Sequence, residues 1–524
     1  MSKKHIYAAG AAGLAAVIAA ALIFAYMRWG SSNAVLSMIP APDGSDFYLL
    51  TQTKQGSYPE TIASFFTEGE FALMKEGTPQ CAAMKAAAAA KEAAMLIEYS
   101  GDSLEVSVSL RFDKDDTYSL EKGTLPASLS GVLGGATVRS AKDNDIFTIE
   151  SEKLSTPLYY AVDDGLTVMA AESSLVRRML DSAKKSSENL GGKKWQQEKE
   201  WPAHIEICDG GTITADMKYK FPITIEAAWR SLEAKKPGDP NGEVRWQFTD
   251  LDKSVESYIS SNMKPKKWLT SECVIPDPLL LSAGINIPEL KGDPKDWPFP
   301  LSSMGELALD MNLKKDQINE ILSGQTVFSL GGVNRILWFT LPGLLVEFSG
   351  KEALMKEFVD SFWSSLFFGA ETKPIEGYSA GGAAEVPFSV LCAAQDNIAV
   401  AGLISPTSLR AKNRLGTFLK DDESAVGWVL ADMPRIGGTL SEMARLSSFM
   451  AAEEDDPESS FYDEYRSLTE SEDNSQAAQN DNTSSPFDED IADSFALVLK
   501  KMGRVLVVWE KPLSGRVNWY DGAK

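Results

Sequence analysis

Two stretches of this chain share one pattern: Tyr159-Tyr-Ala-Val-Asp-Asp-Gly-Leu-Thr-Val-Met-Ala170 and Val390-Leu-Cys-Ala-Ala-Gln-Asp-Asn-Ile-Ala-Val-Ala401. Each is an apolar run, a polar turn and a second apolar run, which predicts a β-hairpin. Each is followed by a serine, Ser173 or Ser405, that is a good N-cap for a helix. This repetition of strand, turn, strand and helix start predicts that the chain contains two similar halves.

The similarity continues outward from both hairpins, in the same order. Upstream, the hairpin-like segment 95–112 matches the segment 335–350. Near the ends, Gly242-Glu-Val-Arg-Trp-Gln-Phe matches Gly515-Arg-Val-Asn-Trp-Tyr. Strands that arrive as hairpins predict mostly antiparallel sheet with helices packed on one face. We therefore predict an α+β fold made of two tandem repeats.

The length of 524 residues is too great for one compact core, which also favours two domains. The predicted organisation, in chain order, is a cytoplasmic tail at 1–5, a transmembrane helix at 6–28, a linker at 29–44, repeat 1 at 45–250, a connector at 251–274 and repeat 2 at 275–521.

Repeat 2 contains an acidic insertion at about 453–493. It holds fifteen Asp or Glu residues against one basic residue, Arg466. Such a segment cannot bury enough apolar surface to offset the entropy of ordering it, so we predict a disordered loop. It either serves as a solvated spacer or attracts cations or a basic partner.

The segment Ile6–Met27 is uncharged, with two lysines before it and Arg28 after it. It is long enough to cross the hydrocarbon layer, and the charges place the N-terminus inside. We therefore predict a single-pass signal-anchor in the cytoplasmic (inner) membrane, with the body extracytoplasmic. A signal peptide cleaved near Ser32-Asn33-Ala34 is the alternative.

The composition disfavours several kinds of partner and cofactor. A net charge of -23 opposes nucleic-acid binding, because phosphates require Lys and Arg. The four cysteines lack the paired spacing of zinc or iron–sulfur ligands, and we expect buried free thiols rather than two disulfides. No cofactor and no metal site is predicted. The cysteines are Cys81, Cys208, Cys273 and Cys392.

One stretch, Gly377-Tyr-Ser379-Ala-Gly381, has the spacing of a nucleophile elbow. That elbow requires a histidine later in the chain, but His204 is the last one. We predict a glycine-rich turn here, and we assign no catalytic residues. A hydrolase that uses two carboxylates on envelope glycans stays open, because 74 acidic residues offer many pairs.

Two sets of side chains bear on binding. The segment Ser349-Gly-Lys-Glu352 is interpreted as a capping box that starts a helix with one large apolar face. This face is either a wall for a lipid or ordinary core. Basic residues at Arg177, Arg178, Lys184, Lys185, Arg410, Lys412 and Arg414 either hold an anion or form a solvated face. The apolar face consists of Leu354, Met355, Phe358, Val359, Phe362, Leu366 and Phe367.

The leading hypothesis is a membrane-anchored, extracytoplasmic, non-catalytic scaffold or partner-binding protein of the bacterial envelope. It rests on the duplicated body, the predicted anchor and the missing catalytic sets. The first alternative is a carrier for an apolar ligand such as lipid, and the second is the carboxylate-dependent hydrolase.

Overall fold

A computed structural model describes most of the chain. The chain divides into two compact units. Unit 1 comprises Met1–Thr67, Ala72–Trp229 and Phe248–Leu251, and unit 2 comprises Glu68–Phe71, Arg230–Gln247 and Asp252–Lys524. The described residues are 34–42, 47–54, 76–100, 103–133, 135–140, 145–185, 187–195, 201–209, 223–236, 238–268, 273–287, 290, 292–297, 301–336, 339–386, 388–409, 415–419, 423–454, 496, 499–500 and 502–520.

Unit 1 is built on antiparallel strands, some joined by tight turns and others by segments that contain helices. Their pairing order is β4-β5-β6-β7-β3-β2-β1-β8-β9. The strands are β1 Phe47–Lys54, β2 Glu92–Ser100, β3 Ser103–Arg111, β4 Thr137–Ser140, β5 Phe147–Glu150, β6 Leu158–Asp163, β7 Leu166–Ala170, β8 Ala203–Asp209 and β9 Ile223–Ser231.

Helices cover both faces of the unit 1 sheet. On one face lie α1 Pro79–Ala89, α2 Lys114–Glu121 and α3 Ala127–Leu133, and on the other lies α4 Ser173–Ala183. Leu36 and Ile39, from the segment predicted as a linker, are fully buried under α4. The core of unit 1 therefore begins earlier in the chain than residue 45.

Unit 2 repeats this pairing order with its own strands. The order is β15-β16-β17-β14-β13-β12-β19-β20-β21-β10, with β11 and β18 as a separate pair. The strands are β10 Gly242–Thr249, β11 Lys266–Lys267, β12 Leu279–Asn286, β13 Gln325–Ile336, β14 Phe339–Ser349, β15 Ala380–Val386, β16 Phe388–Gln395, β17 Ile398–Leu403, β18 Ser424–Ala425, β19 Gly427–Asp432, β20 Arg504–Lys511 and β21 Ser514–Tyr520.

Two pairs of matching segments occupy corresponding places in the two pairing orders, but the predicted hairpin at 335–350 is wrong, because Phe339–Ser349 forms the single strand β14. The hairpin β2–β3 corresponds to β13–β14, and β6–β7 corresponds to β16–β17. Most of β10 clusters with unit 2, where it pairs antiparallel with β21, the strand that matches it in sequence. The exact repeat boundaries of 45–250 and 275–521 stay a prediction.

Three helices of unit 2 matter for the site. These are α6 Leu301–Asp310, α7 Lys315–Leu322 and α8 Glu352–Leu366, which share a core with β14 and β16. The opposite face of the sheet buries Trp268 and Trp428. Two further helices of unit 2 among the described residues are α5 Lys253–Asn262 and α9 Met433–Glu454.

The prediction of an α+β fold is wrong. Among the described residues, the strands of each unit pair antiparallel throughout, and the helices are few. The reason is that some segments expected to form helices close a turn instead. After Ser405, for example, the described residues form a 3-10 turn at Pro406–Ser408, and the Ser405 side chain makes no capping hydrogen bond to it. Without a cap, the first backbone N–H groups of a helix lack a hydrogen-bond partner, which disfavours the helix start.

The predicted transmembrane helix is the second correction. No helix within the described ranges is long and apolar enough to cross a membrane. A span needs about 20 predominantly apolar residues, whereas α9, with 22 residues, carries charged side chains such as Arg435 and Glu442. The segments 1–5 and 6–28 lie outside the described residues. The single-pass, signal-anchored topology that was derived from this helix is not carried forward.

The acidic insertion at 453–493 is outside the described part of the chain, except for its first two residues. Those two residues end helix α9 at Glu454. The prediction about the insertion therefore stays a prediction.

Candidate functional site

A cavity of about 440 Å³ lies within unit 2, between the sheet and helices α6, α7 and α8. We call it the unit 2 cavity. Every side chain that lines it is apolar. Its size is within the range of small-molecule sites, which are about 300–1,000 Å³.

The sheet forms one wall of the cavity. Phe328 of β13 lies directly opposite Val346 of β14, and Val346 lies directly opposite Ala401 of β17. Directly opposite residues of an antiparallel pair project from the same face, so these three side chains form a row across the wall. Phe348, two residues beyond Val346, is buried and closes one end.

Helices α6 and α7 form a second wall. Met304, Leu307 and Ala308 recur at three- and four-residue steps on α6, and the buried Ile318 and Ile321 have the same spacing on α7. This spacing places the side chains on one face of each helix.

Helix α8 provides an aromatic wall. Phe358, Phe362 and Phe367 line the cavity, and the Phe362 and Phe367 rings are stacked with centroids 5.4 Å apart. The Trp363 indole donates to the Cys392 carbonyl oxygen at 2.9 Å, which ties the end of the helix to β16. Aromatic pairs of this kind add stabilisation beyond the area that they bury.

The apolar face predicted on this helix thus divides between two roles. Leu354, Met355 and Val359 are packed in the core, whereas the phenylalanines reach the cavity. The predicted capping box is wrong. Helix α8 begins at Glu352 without a side-chain cap, and Ser349 belongs to β14, where its hydroxyl accepts from the Gln325 backbone amide.

The cavity opens to solvent at a rim of leucines. Leu307 and Leu344 are each 48% exposed, and Leu403 is 41% exposed. Exposure increases along β14 from Phe348 through Val346 to Leu344. A ligand therefore has a path from the rim to the closed end.

The corresponding helix of unit 1 packs differently. Helix α1 precedes β2 as α6 and α7 precede β13, but its buried side chains are mostly alanines, such as Ala83 and Ala87. Small side chains allow a helix to approach a sheet closely, and protein interiors are close-packed wherever shape permits. The larger side chains of α6 and α7 instead line the unit 2 cavity between these helices and the sheet.

The predicted basic residues on α4 form ion pairs rather than an open anion site. Arg178 bridges two glutamates of the sheet, and two lysines pair with acids close to them in sequence. The residues Arg410, Lys412 and Arg414 lie outside the described residues. The pairs are Arg178–Glu98 at 3.7 Å, Arg178–Glu105 at 3.6 Å, Lys184–Asp181 at 3.5 Å and Lys185–Glu188 at 3.0 Å.

Ser379 lies in a turn that leads into strand β15, as the sequence predicted. Its hydroxyl donates to the Ala394 carbonyl oxygen at 3.3 Å, and its backbone amide donates to the same oxygen at 2.9 Å. The hydroxyl is thus used structurally, and the elbow geometry of strand, turn and helix does not form.

A buried polar cluster, which the sequence analysis did not predict, lies in unit 1. Glu206 of β8 is directly opposite Glu226 of β9, and Lys193 forms ion pairs with both. The Tyr48 hydroxyl donates to Glu206 at 3.0 Å. Because both carboxylates are buried and paired with the lysine, this arrangement does not favour the hydrolase hypothesis.

Burial sets the protonation of this cluster. It raises the pKa of Glu206, although the hydrogen bond and charge of Lys193 oppose the change. It also lowers the pKa of His204 from 6.5 to about 4, so this imidazole is neutral near neutral pH. The His204 ring stacks on Trp195 at 5.2 Å, and its Nδ1 has no hydrogen-bond partner among the described residues.

The four cysteines are free thiols, as the sequence predicted. Cys81, Cys273 and Cys392 are buried, and Cys208 is partly exposed. Within the described residues, no cluster of three or more His, Cys, Asp or Glu side chains is arranged to hold a metal ion.

Comparison with known proteins gives no assignment. No family model matches the chain, and no curated protein matches it. Among solved structures, crystal form III of TP0453 matches with a TM-score of 0.24 and 12% identity, over 45% of this chain and 88% of that chain. A TM-score this low carries no argument about fold or function.

Proposed function

We propose that this protein binds an apolar small molecule with an alkyl chain, such as a lipid, in the unit 2 cavity. One observation supports the proposal: a cavity of about 440 Å³ whose lining side chains are all apolar and which opens at a leucine rim.

The physical argument concerns water. A cavity without polar groups offers water none of the two to four hydrogen bonds that hold it in a protein interior. An alkyl chain has no hydrogen bonds to lose there. Each CH₂ group that leaves water contributes about 0.8 kcal/mol to the transfer free energy. About ten buried CH₂ groups would contribute about 8 kcal/mol, which must exceed the cost of immobilising the ligand, roughly 4 kcal/mol or more.

The scaffold hypothesis stays a prediction, because it concerns protein partners and the cavity bears only on a small-molecule ligand. The hydrolase hypothesis also stays a prediction, and the one buried carboxylate pair described above does not favour it. A specific feature of the fold, the unit 2 cavity, supports the carrier hypothesis.

Isothermal titration calorimetry with myristoyl lysophosphatidylcholine, below its micelle concentration, tests the proposal. We expect saturable binding near one molecule per chain, with a negative heat-capacity change that marks burial of apolar surface. Absence of saturable binding would contradict the proposal.

Two substitutions fill the cavity from opposite walls, Ala401→Leu on the sheet and Ala308→Leu on α6. Each substitution should raise the Kd of the ligand by roughly tenfold or more, because the branched leucine side chain of four carbons occupies space that the ligand needs. Ala127→Leu, at an exposed position of α3 in unit 1, is the matched control and should bind as the wild type does. Unchanged binding in both cavity variants would place the ligand elsewhere.

A further inference from the structure

The rim of the unit 2 cavity continues into a row of leucines across four strands. Leu403 of β17 lies directly opposite Leu344 of β14, Leu344 opposite Leu330 of β13, and Leu330 opposite Leu281 of β12. Directly opposite residues share a face, so all four project to the side of the sheet that lines the cavity. We call this row the leucine track.

The leucine track is exposed along its whole length. The exposed fractions are 41% for Leu403, 48% for Leu344, 41% for Leu330 and 37% for Leu281. Exposed leucines scattered singly are normal on a protein surface, but a contiguous row is not. Three strand spacings of about 4.8 Å make the row roughly 14 Å long.

The track and the cavity are continuous, because Leu344 and Leu403 belong to both. A ligand that enters at this rim therefore meets apolar side chains inside the cavity and again outside it, along one line. A short chain can use only the first part, whereas a longer chain gains by covering Leu330 and Leu281.

We infer that the ligand is an amphiphile with a long, straight alkyl chain, one part of which fills the unit 2 cavity while the rest lies on the leucine track. This inference rests on the proposed function and specifies the ligand class for that site. The occupant of the track is the remainder of the bound chain itself, since the two apolar surfaces share side chains.

The test compares short and long chains on the same headgroup. Decanoyl and stearoyl lysophosphatidylcholine are titrated into the full-length wild type and into Leu330→Ser and Leu281→Ser. Each serine variant should weaken stearoyl binding by about three- to tenfold and leave decanoyl binding unchanged, because it removes a half-exposed leucine from the track but none from the cavity.

Leu341→Ser is the matched control. Leu341 is 41% exposed and belongs to the same strand as Leu344, but it projects from the opposite face because side chains alternate along a strand. The Leu341→Ser substitution should change the affinity for neither the decanoyl nor the stearoyl ligand.

Each other outcome has a defined meaning. Equal weakening of both chains by the track variants, or weakening of neither, overturns the inference while the cavity remains the binding site. Failure of the wild type to bind either chain overturns the proposed function and the inference with it.

Discussion

Gly242 of β10 lies directly opposite Trp519 of β21, and the indole occupies the space that a side chain at position 242 would need. A Cβ atom at this position would be 1.8 Å from Trp519 Cζ2. The same relationship recurs four pairs along the register, where Trp246 lies opposite Gly515. The glycine and tryptophan that match between β10 and β21 thus interlock across one antiparallel pair.

Gly242→Ala should destabilise unit 2 by about 1–3 kcal/mol, because the packed indole must move away from its position. The free energy of unfolding from urea denaturation measures the effect. Gly438→Ala is the control in the same unit, since nothing lies within 4 Å of a Cβ there and alanine favours helix α9. An equal free energy of unfolding for Gly242→Ala and Gly438→Ala would contradict this expectation, because it would show that the Trp519 indole moves aside without loss of stability.

Lys193→Met should destabilise unit 1 by about 3–5 kcal/mol near neutral pH. The substitution leaves Glu206 and Glu226 opposite each other, buried and without the lysine. The defect should shrink as the pH falls, because burial raises the pKa of Glu206 and protonation removes the repulsion. The double variant Lys193→Met/Glu206→Gln should recover part of the loss. A defect that is independent of pH would contradict this explanation.

His204 should make the protein less stable in mild acid. The pKa of the folded state is about 4 and that of the free side chain is 6.5, so the unfolded state binds the proton first as the pH falls through this range. The free energy of unfolding should therefore drop by about 2–3 kcal/mol between these pH values on account of this group. Lys54 and Glu226 act on the same imidazole in opposite directions.

The contribution of His204 is isolated by comparison with His204→Phe, which keeps a ring against Trp195 but cannot titrate. The two stability curves, measured by urea denaturation across the pH range, should diverge below the ordinary histidine pKa. Parallel curves would show that His204 does not titrate differently in the two states.

Thiol titration should separate Cys208 from the other three cysteines. Without reductant, all four thiols should react with Ellman's reagent after unfolding, since all are free. In the native protein, Cys208 should react first, because burial raises the pKa of the Cys392 and Cys81 thiols and limits access to them. Cys208→Ser should remove the fast phase, and a fast phase that persists would contradict the assignment.

The hairpins were predictable because their signals are local. Alternating apolar runs around Asp164-Gly165 and Asp396-Asn397 indicate strand, turn and strand, and both turn aspartates adopt positive φ. The helices were less predictable, because a serine and a proline begin a helix or a single turn with equal ease. Ser173 begins α4, whereas the described residues after Ser405 form a 3-10 turn at Pro406–Ser408.

The candidate site was predictable only in part. The spacing of Phe358 and Phe362 placed them on one helix face, but spacing alone does not distinguish packed core from cavity wall. The leucine track left no signal, since Leu281, Leu330, Leu344 and Leu403 come from four separate strands. Only the register of those strands brings them into one row.

The sequence by itself determined the strands, their antiparallel hairpins and the resemblance between the two sets of segments, because each depends on residues close together in the chain. The tertiary structure decided where space remains between layers. Large side chains on α6 and α7 line the cavity of unit 2, whereas most of the buried side chains on α1 in unit 1 are alanines. A cavity is set by the distance between elements, and that distance depends on side chains from many remote segments packed together.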